Sequence, residues 1–188
     1  MNKSRKERGI IMKNIVLKDG QVAILRKAIK EDAEQLLKYM DTIATESDFL
    51  TFEQGELKLT VKKQQAIIEN NRMESKLFIF VMAQNKIIGN LSFSAGHRIR
   101  SRHAGEFGIT VLKEYWNNGV ASEMIDFMIE WAKANKVIRK INLRVRTDNP
   151  RAIYLYSKFG FKCEGILTRN FYIKEVFYDS MEMGLLLD

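Results

Sequence analysis

The chain is poor in residues that staple or break structure. Its 188 residues include one cysteine, Cys163, and one proline, Pro150. A lone cysteine closes no internal disulfide, which suits a reducing compartment and gives a cytoplasmic expectation. Cys163 follows Gly160-Phe161 at the start of an expected strand and reads as a buried, inert thiol rather than a nucleophile. No apolar run reaches the ~20 residues of a membrane span, and no apolar leader with a cleavage site opens the chain, so no membrane partner is expected. Only two histidines occur, His97 and His103, both in the stretch HRIRSRH. Without nearby acidic or thiol partners they are too few to hold a metal, so no metal is expected and the stretch reads as a solvated loop. Neither G-x-G-x-x-G nor a Walker pattern is present, which removes the two commonest nucleotide signatures. Repeats, low-complexity tracts and linkers are missing as well, and the length fits one domain with a substantial core.

Acidic charge is in the minority. Lys and Arg total 31 against 23 Asp and Glu, a formal net charge of +8. Such an excess suits a polyanionic ligand. The basic residues are scattered and match no nucleic-acid motif, so duplex binding is the minor reading. Residues 1–12, with Lys3, Arg5, Lys6 and Arg8, read as a basic extension for which disorder is one reading. Met12 is a candidate functional start. Residues 13–188 read as a single domain.

Periodicity and turn chemistry give the elements. Asp19-Gly20 marks a hairpin between strands near 15–17 and 22–26. Residues 31–45 read as a helix with Leu36, Leu37, Met40 and Ala44 on one face. A loop around Gly55 precedes a second helix over 60–71, with Thr60 as its N-cap. Strands are expected over 77–83, 87–94 and 104–111, then a long helix over 120–134 and a strand over 141–146. Asn149, Pro150 and Gly160 bracket a short helix. Strands near 166–173 and 177–187 close the chain. This order predicts an α/β fold: a mixed, mostly antiparallel twisted sheet of about seven strands flanked by about four helices.

The densest signal lies over residues 106–135: a buried strand, the turn Tyr115-Trp116-Asn117-Asn118-Gly119-Val120-Ala121-Ser122, and a long helix. A helix start carries N–H groups without internal partners and the positive end of the macrodipole. Gly119 lacks a Cβ, so an anion can approach the backbone. Together they make a diphosphate site out of main chain. Taken alone, the turn is as consistent with an ordinary strand-to-helix connection.

Residues 141–161, INLRVRTDNPRAIYLYSKFGF, add the second half of a pattern. With Trp116-Asn117-Asn118-Gly119-Val120-Ala121 standing for Q/R-x-x-G-x-G/A, and Asn149, Tyr156, Gly160 and Phe161 following at the right distance, the chain resembles the GNAT family of N-acetyltransferases. The resemblance runs from about residue 22 to the C-terminus. It departs at Trp116, where the family usually has Gln or Arg. It implies the acyl-CoA N-acyltransferase fold, with acetyl-CoA as cosubstrate. It also implies direct transfer of the acetyl group, in a ternary complex, to a primary amine: a small molecule or a peptide or protein N-terminus. A homodimer is left open. A catalytically weak acetyl-CoA-binding sensor is the alternative function.

The resemblance distributes roles. Trp116, Asn117, Asn118, Gly119, Val120, Ala121 and Ser122 would hold the diphosphate, with Asn149 as a further cofactor contact. The strand edge Ile109-Thr110-Val111 would pair with pantetheine by strand addition. Tyr156 is the candidate acid for the leaving thiolate, since a phenol near ~10 is neutral and able to donate at pH 7. Tyr154, two positions away, falls on roughly the opposite helix face. Glu106 is the candidate base; a surface ion pair with Arg144 or Arg146 is an equal reading. Segments 45–57 and 168–178 would border the acceptor, with Glu46, Asp48, Glu53 and Glu56 able to attract a cationic amine.

Overall fold

The computed structural model describes residues 11–71 and 73–188, with the side chains of Ile11 and Met12 excluded. The basic segment 1–10 lies outside the described residues. Alternating apolar residues build eight strands: β1 Ile11–Val16, β2 Val22–Lys27, β3 Lys76–Ala83, β4 Lys86–Ala95, β5 Ala104–Val111, β6 Lys140–Arg146, β7 Lys162–Ile173 and β8 Val176–Leu186. Among the described residues the α-helices are four, α1 Ala33–Glu46, α2 Val61–Asn70, α3 Val120–Ala134 and α4 Pro150–Lys158. The sheet is ordered β1-β2-β3-β4-β5-β6-β8-β7, and β5 with β6 is its parallel pair. Among the described residues it therefore has eight strands rather than about seven; β1 extends back to Ile11 and β7 back to Lys162.

Local chemistry explains most boundaries. Leu17 N–H donates to the Gln21 carbonyl at 2.8 Å across the first hairpin, where Gly20 has φ 83°. The β3–β4 turn places Gln84 and Asn85 at φ 48° and 62°, a pair of positive values matched to the strand twist of a two-residue hairpin. Thr60 Oγ1 accepts from Lys63 N–H at 3.2 Å and caps α2. Asn149 Oδ1 accepts from Ala152 N–H at 3.1 Å and caps α4, with Pro150 in its first turn. Asp32, at the start of α1, takes a bidentate pair from Arg26 (2.7 and 2.6 Å) and accepts the Ile29 N–H.

Side chains alternate to two covered faces. Phe93 meets Trp131 of α3 edge-on, and Phe107 meets Tyr156 of α4, so β4 and β5 turn these residues to the α3–α4 side. Tyr39 of α1 bonds Thr110 at 2.9 Å, so the alternate residues face α1 and α2. Gly89 is required by the close seat of α3, where a Cβ would meet Val120 and Met124 at 3.0 and 2.9 Å. The core is one cluster, with Phe80, Phe93, Leu91, Met124 and Met128 among its fully buried members.

Two readings of the sequence need correction. Cys163 is exposed, because β7 is the outer edge strand and most of its side chains have no helix over them. Segment 168–178 is less a loop than the distal half of the β7–β8 hairpin, interrupted by a bulge between Leu167 and Phe171. The stretch 97–103 is an exposed connection, as expected.

Candidate active site

The parallel pair opens soon after it forms. β5 matches β6 only from Ala104 to Glu106, against Lys140 to Asn142. Beyond Glu106, β5 stays on β4 as far as Val111 while β6 leaves to follow β8. Leu112 N–H donates to Ile88, and the Ala104 carbonyl accepts from Gly96, so the even-numbered residues of this segment point their polar groups at β4. Period-two alternation then turns the backbone groups of Phe107, Ile109 and Val111 into the gap. Ile109, with both backbone groups, and Val111, with its N–H, therefore offer the strand edge expected for pantetheine. Thr110 does not: its amide belongs to the β4 side and its hydroxyl to Tyr39.

A cleft of about 1590 Å³ passes through this gap. Its walls come from both faces of the sheet. One side carries Val120, Ala121, Ser122, Asn149 and Tyr156; the other carries Ser92, Glu106, Thr110 and the α1–α2 loop.

On the first side, Gly119 is the N-cap of α3 with φ 81°, and its Cβ position faces open space. α3 has no side-chain cap, unlike α2 and α4. Its first N–H groups are thus left for a ligand, and the donors fit a diphosphate. Asn117, at φ 64°, and Trp116 line the same turn. Asn118 turns away, accepting from the Lys18 N–H of the β1–β2 turn at 3.1 Å, so it anchors the turn rather than lining the cleft. Trp116 Nε1 donates to the Val111 carbonyl at 2.7 Å, tying the turn to the free edge of β5. Asn149 spends its Oδ1 on the α4 cap and has its amide N–H₂ left to offer.

Tyr156 is buried between Phe107 and Phe161, with ring centroids at 5.9 and 6.1 Å. Burial alone pushes its phenol up to about 12. Tyr154, two positions earlier and roughly opposite on the helix, is 69% exposed and touches the cleft only from its rim side, without the aromatic packing that buries Tyr156.

Across the sheet, Glu106 is exposed to the cleft. The ion pair weighed for it does not form, because Arg144 pairs with Glu182 at 3.3 Å and Arg146 with Asp148 at 2.6 Å. Tyr156 and Glu106 thus lie on opposite sides of β5, one residue of strand apart through Phe107.

Sequence reasoning missed the polar floor beside Glu106. Asn90, Ser92 and Ser94 of β4 share its face through the register Asn90↔Thr110, Ser92↔Gly108 and Ser94↔Glu106. The Oδ1 atoms of Asn90 and Asn142 are buried without partners. Three alternating polar residues in a central strand covered on both faces were the available signal. Arg146 was also missed as a structural joint. Its buried guanidinium is stacked 3.8 Å from the Tyr178 ring centroid and 4.8 Å from that of Phe49, and it donates to the Asp48 carbonyl at 2.8 Å. It thereby fixes the α1–α2 loop over the cleft. The hydrogen bond to Asp148 holds this guanidinium above its usual range and Asp148 below the usual carboxylate range. Among the described residues, no group of acidic, histidine and cysteine side chains could hold a metal.

The profile of the acetyltransferase (GNAT) family matches residues 37–161. An L-amino acid N-acetyltransferase of Escherichia coli (strain K12) is 38% identical over 79 residues, which is 42% of this chain and 49% of that one. A spermidine N(1)-acetyltransferase of Vibrio cholerae is 29% identical over 109 residues, 58% of this chain and 62% of that one. The chain thus spans about half to three-fifths of the length of these curated relatives. A GNAT acetyltransferase from Streptococcus pneumoniae, known by crystal structure, superposes with a TM-score of 0.85 at 32% identity, covering 88% of this chain and 99% of that one.

Proposed function

Because the chain belongs to the acetyltransferase (GNAT) family, we propose that it moves the acetyl group of acetyl-CoA directly to a primary amine within a ternary complex. The observation that carries the reading is the cleft through the sheet. Cofactor-type donors lie on one side of the β5–β6 gap and a polar, carboxylate-bearing floor on the other. Two substrates can meet there without a covalent enzyme intermediate.

Acetyl-CoA supplies the activated thioester. The N–H groups at the start of α3, with Gly119 leaving room, would hold its diphosphate. Ile109 and Val111 would pair with pantetheine along the open edge, and one of their N–H groups would donate to the thioester oxygen as charge develops there. Glu106 would take a proton from the incoming ammonium. A lysine-like amine needs about 4.6 kcal/mol of deprotonation at pH 7, whereas an α-amine near ~7.8 needs only about one unit. As the C–N bond forms and the C–S bond breaks, Tyr156 would donate a hydrogen bond to the departing sulfur. Complete proton transfer from a phenol near 12 to a thiolate near ~8.5 is uphill by roughly 5 kcal/mol. Tyr156 therefore works by hydrogen bonding and relays the proton lost by the nitrogen, leaving an amide and a free thiol.

The acceptor side carries Asp48, Glu53, Glu56 and Glu106, whereas Glu46 accepts the Lys113 N–H at 2.7 Å and does not line the cleft, and Arg144 and Arg146 are paired. This balance favours a cationic amine, whether a small molecule or a peptide N-terminus. The two curated relatives named above act on an amino acid and on spermidine, which brackets the acceptor classes to try. The test is thiol release from acetyl-CoA with a panel of amines, with products identified by mass. Tight coenzyme A binding without turnover on any amine would favour the sensor alternative. No binding of coenzyme A would refute the reading altogether.

A further inference from the structure

Among the described residues, three arginines line the cleft: Arg144, Arg146 and Arg151. The first two are paired with Glu182 and Asp148. Arg151 makes no ion pair among the described residues. Its guanidinium carbon instead lies 4.6 Å from the centroid of the Trp116 ring. That ring cannot easily turn, since its Nε1 is committed to the Val111 carbonyl at 2.7 Å. Trp116 is therefore a fixed platform at the head of the turn that ends in Gly119. A planar guanidinium stacks on such a face through both cation–π attraction and shape.

Arg151 is exposed, so water keeps the cost of its charge small, but the fold offers it no stabilising partner beyond the ring. Arg151 is the second residue of α4, whose first turn holds no acidic side chain. The positive end of the helix dipole and the unpaired charge repel one another. A guanidinium without a counter-ion is thus held on a rigid ring beside the uncapped start of α3. Both features are satisfied by one anion.

We propose that Arg151 is a cofactor-binding residue whose guanidinium, oriented by Trp116, pairs with the diphosphate of coenzyme A alongside the N–H groups at the start of α3. Trp116 is then a positioning residue that acts through Arg151. The inference rests on the acetyl-CoA reading above.

Calorimetry on the intact chain tests it, with coenzyme A and with dephospho-coenzyme A, which keeps the diphosphate and lacks the 3′-phosphate. Arg151→Gln should weaken both ligands equally, by on the order of ten- to a hundred-fold. The Tm of the ligand-free variant should change little, because the lost cation–π stack and the relieved charge–dipole contact are of similar size and opposite sign. Arg151→Lys should recover only part of the affinity, keeping the charge and losing the planar stack. Trp116→Phe, which keeps a ring, should weaken binding less than Trp116→Leu. Trp116→Leu should cost little more once Arg151 is already Gln, the non-additivity expected of coupled residues. Unchanged affinity in Arg151→Gln would overturn the assignment. So would a loss seen with coenzyme A and absent with dephospho-coenzyme A, or a loss matched by a fall in Tm. Failure of the unaltered protein to bind coenzyme A would be visible before any variant is made, and would sink the cofactor reading itself.

Discussion

Replacing Gly119 tests the anion cradle most directly, because bulk, backbone strain and charge can be separated at that position. Gly119 sits at φ 81°, in the left-handed region, as the N-cap of α3. Any non-glycine residue there costs about 1–2 kcal/mol. At about 2–4 °C per kcal/mol for a chain of this size, Tm should fall by roughly 2–8 °C. No neighbour adds a clash, since the Cβ position meets nothing within 4 Å. Gly119→Gln and Gly119→Glu share that strain and nearly the same bulk, so their difference is charge. A carboxylate about 5 Å from a phosphate charge interacts unfavourably by about 1 kcal/mol at the dielectric of water and about 3 at an effective value of 20. Glu should therefore bind coenzyme A roughly 5- to 150-fold more weakly than Gln. The ratio should shrink in high salt, which screens exposed charges. Calorimetry at two ionic strengths, with Tm measured on the free proteins, reads all three terms. Equal affinities for the Gln and Glu variants at low salt would refute the reasoning, because a diphosphate seated on these N–H groups cannot ignore that carboxylate.

Tyr156→Phe should lower kcat by ~10²–10⁴-fold with little change in cofactor affinity or Tm, while Tyr154→Phe does little; equal effects would mean the wrong face of α4 was chosen. The raised phenol keeps Tyr156 protonated below about 12, so its contribution to folding is intact below the ordinary value of ~10 and fades as pH rises through 10 towards 12. A kcat profile that loses activity with a midpoint near 10, absent from Tyr156→Phe, would contradict this environment. Glu106→Gln should slow transfer most at low pH and for high-pKa amines, with Tm preserved because no ion pair is lost; a fall in Tm with an unchanged pH–rate profile would make Glu106 structural. Asp32→Asn leaves Arg26 as an uncompensated, largely buried charge and should cost about 3 kcal/mol, measured by urea unfolding; a loss under 1 kcal/mol would show that water replaces the carboxylate.

Much of this architecture could be read along the chain because it is set by local chemistry. Asp19-Gly20, the Thr60 and Asn149 caps, Pro150 in the first turn of α4 and Gly119 ahead of α3 each act within four residues of themselves. Alternation in β5 separated Glu106 from Phe107, and helical spacing separated Tyr156 from Tyr154. The family signature needed only spacing. Contacts across long separations are another matter. No spacing rule says that β5 parts from β6 after Glu106, because that divergence belongs to the packing of two strands 36 residues apart in register. Nor could the strand say which amides face the gap, which removed Thr110 from the cofactor edge. The exposure of Cys163 followed from β7 becoming the sheet's outer edge. The Arg146 stack between Phe49 and Tyr178, the retreat of Asn118 towards Lys18, and the seat of Arg151 on Trp116 all join segments distant in sequence. The sequence by itself determined the elements and the family, through periodicities and caps that are local in energy. Tertiary packing alone decided which polar groups are left unpaired in the cleft, because pairing is settled only when distant strands and loops compete for the same partners.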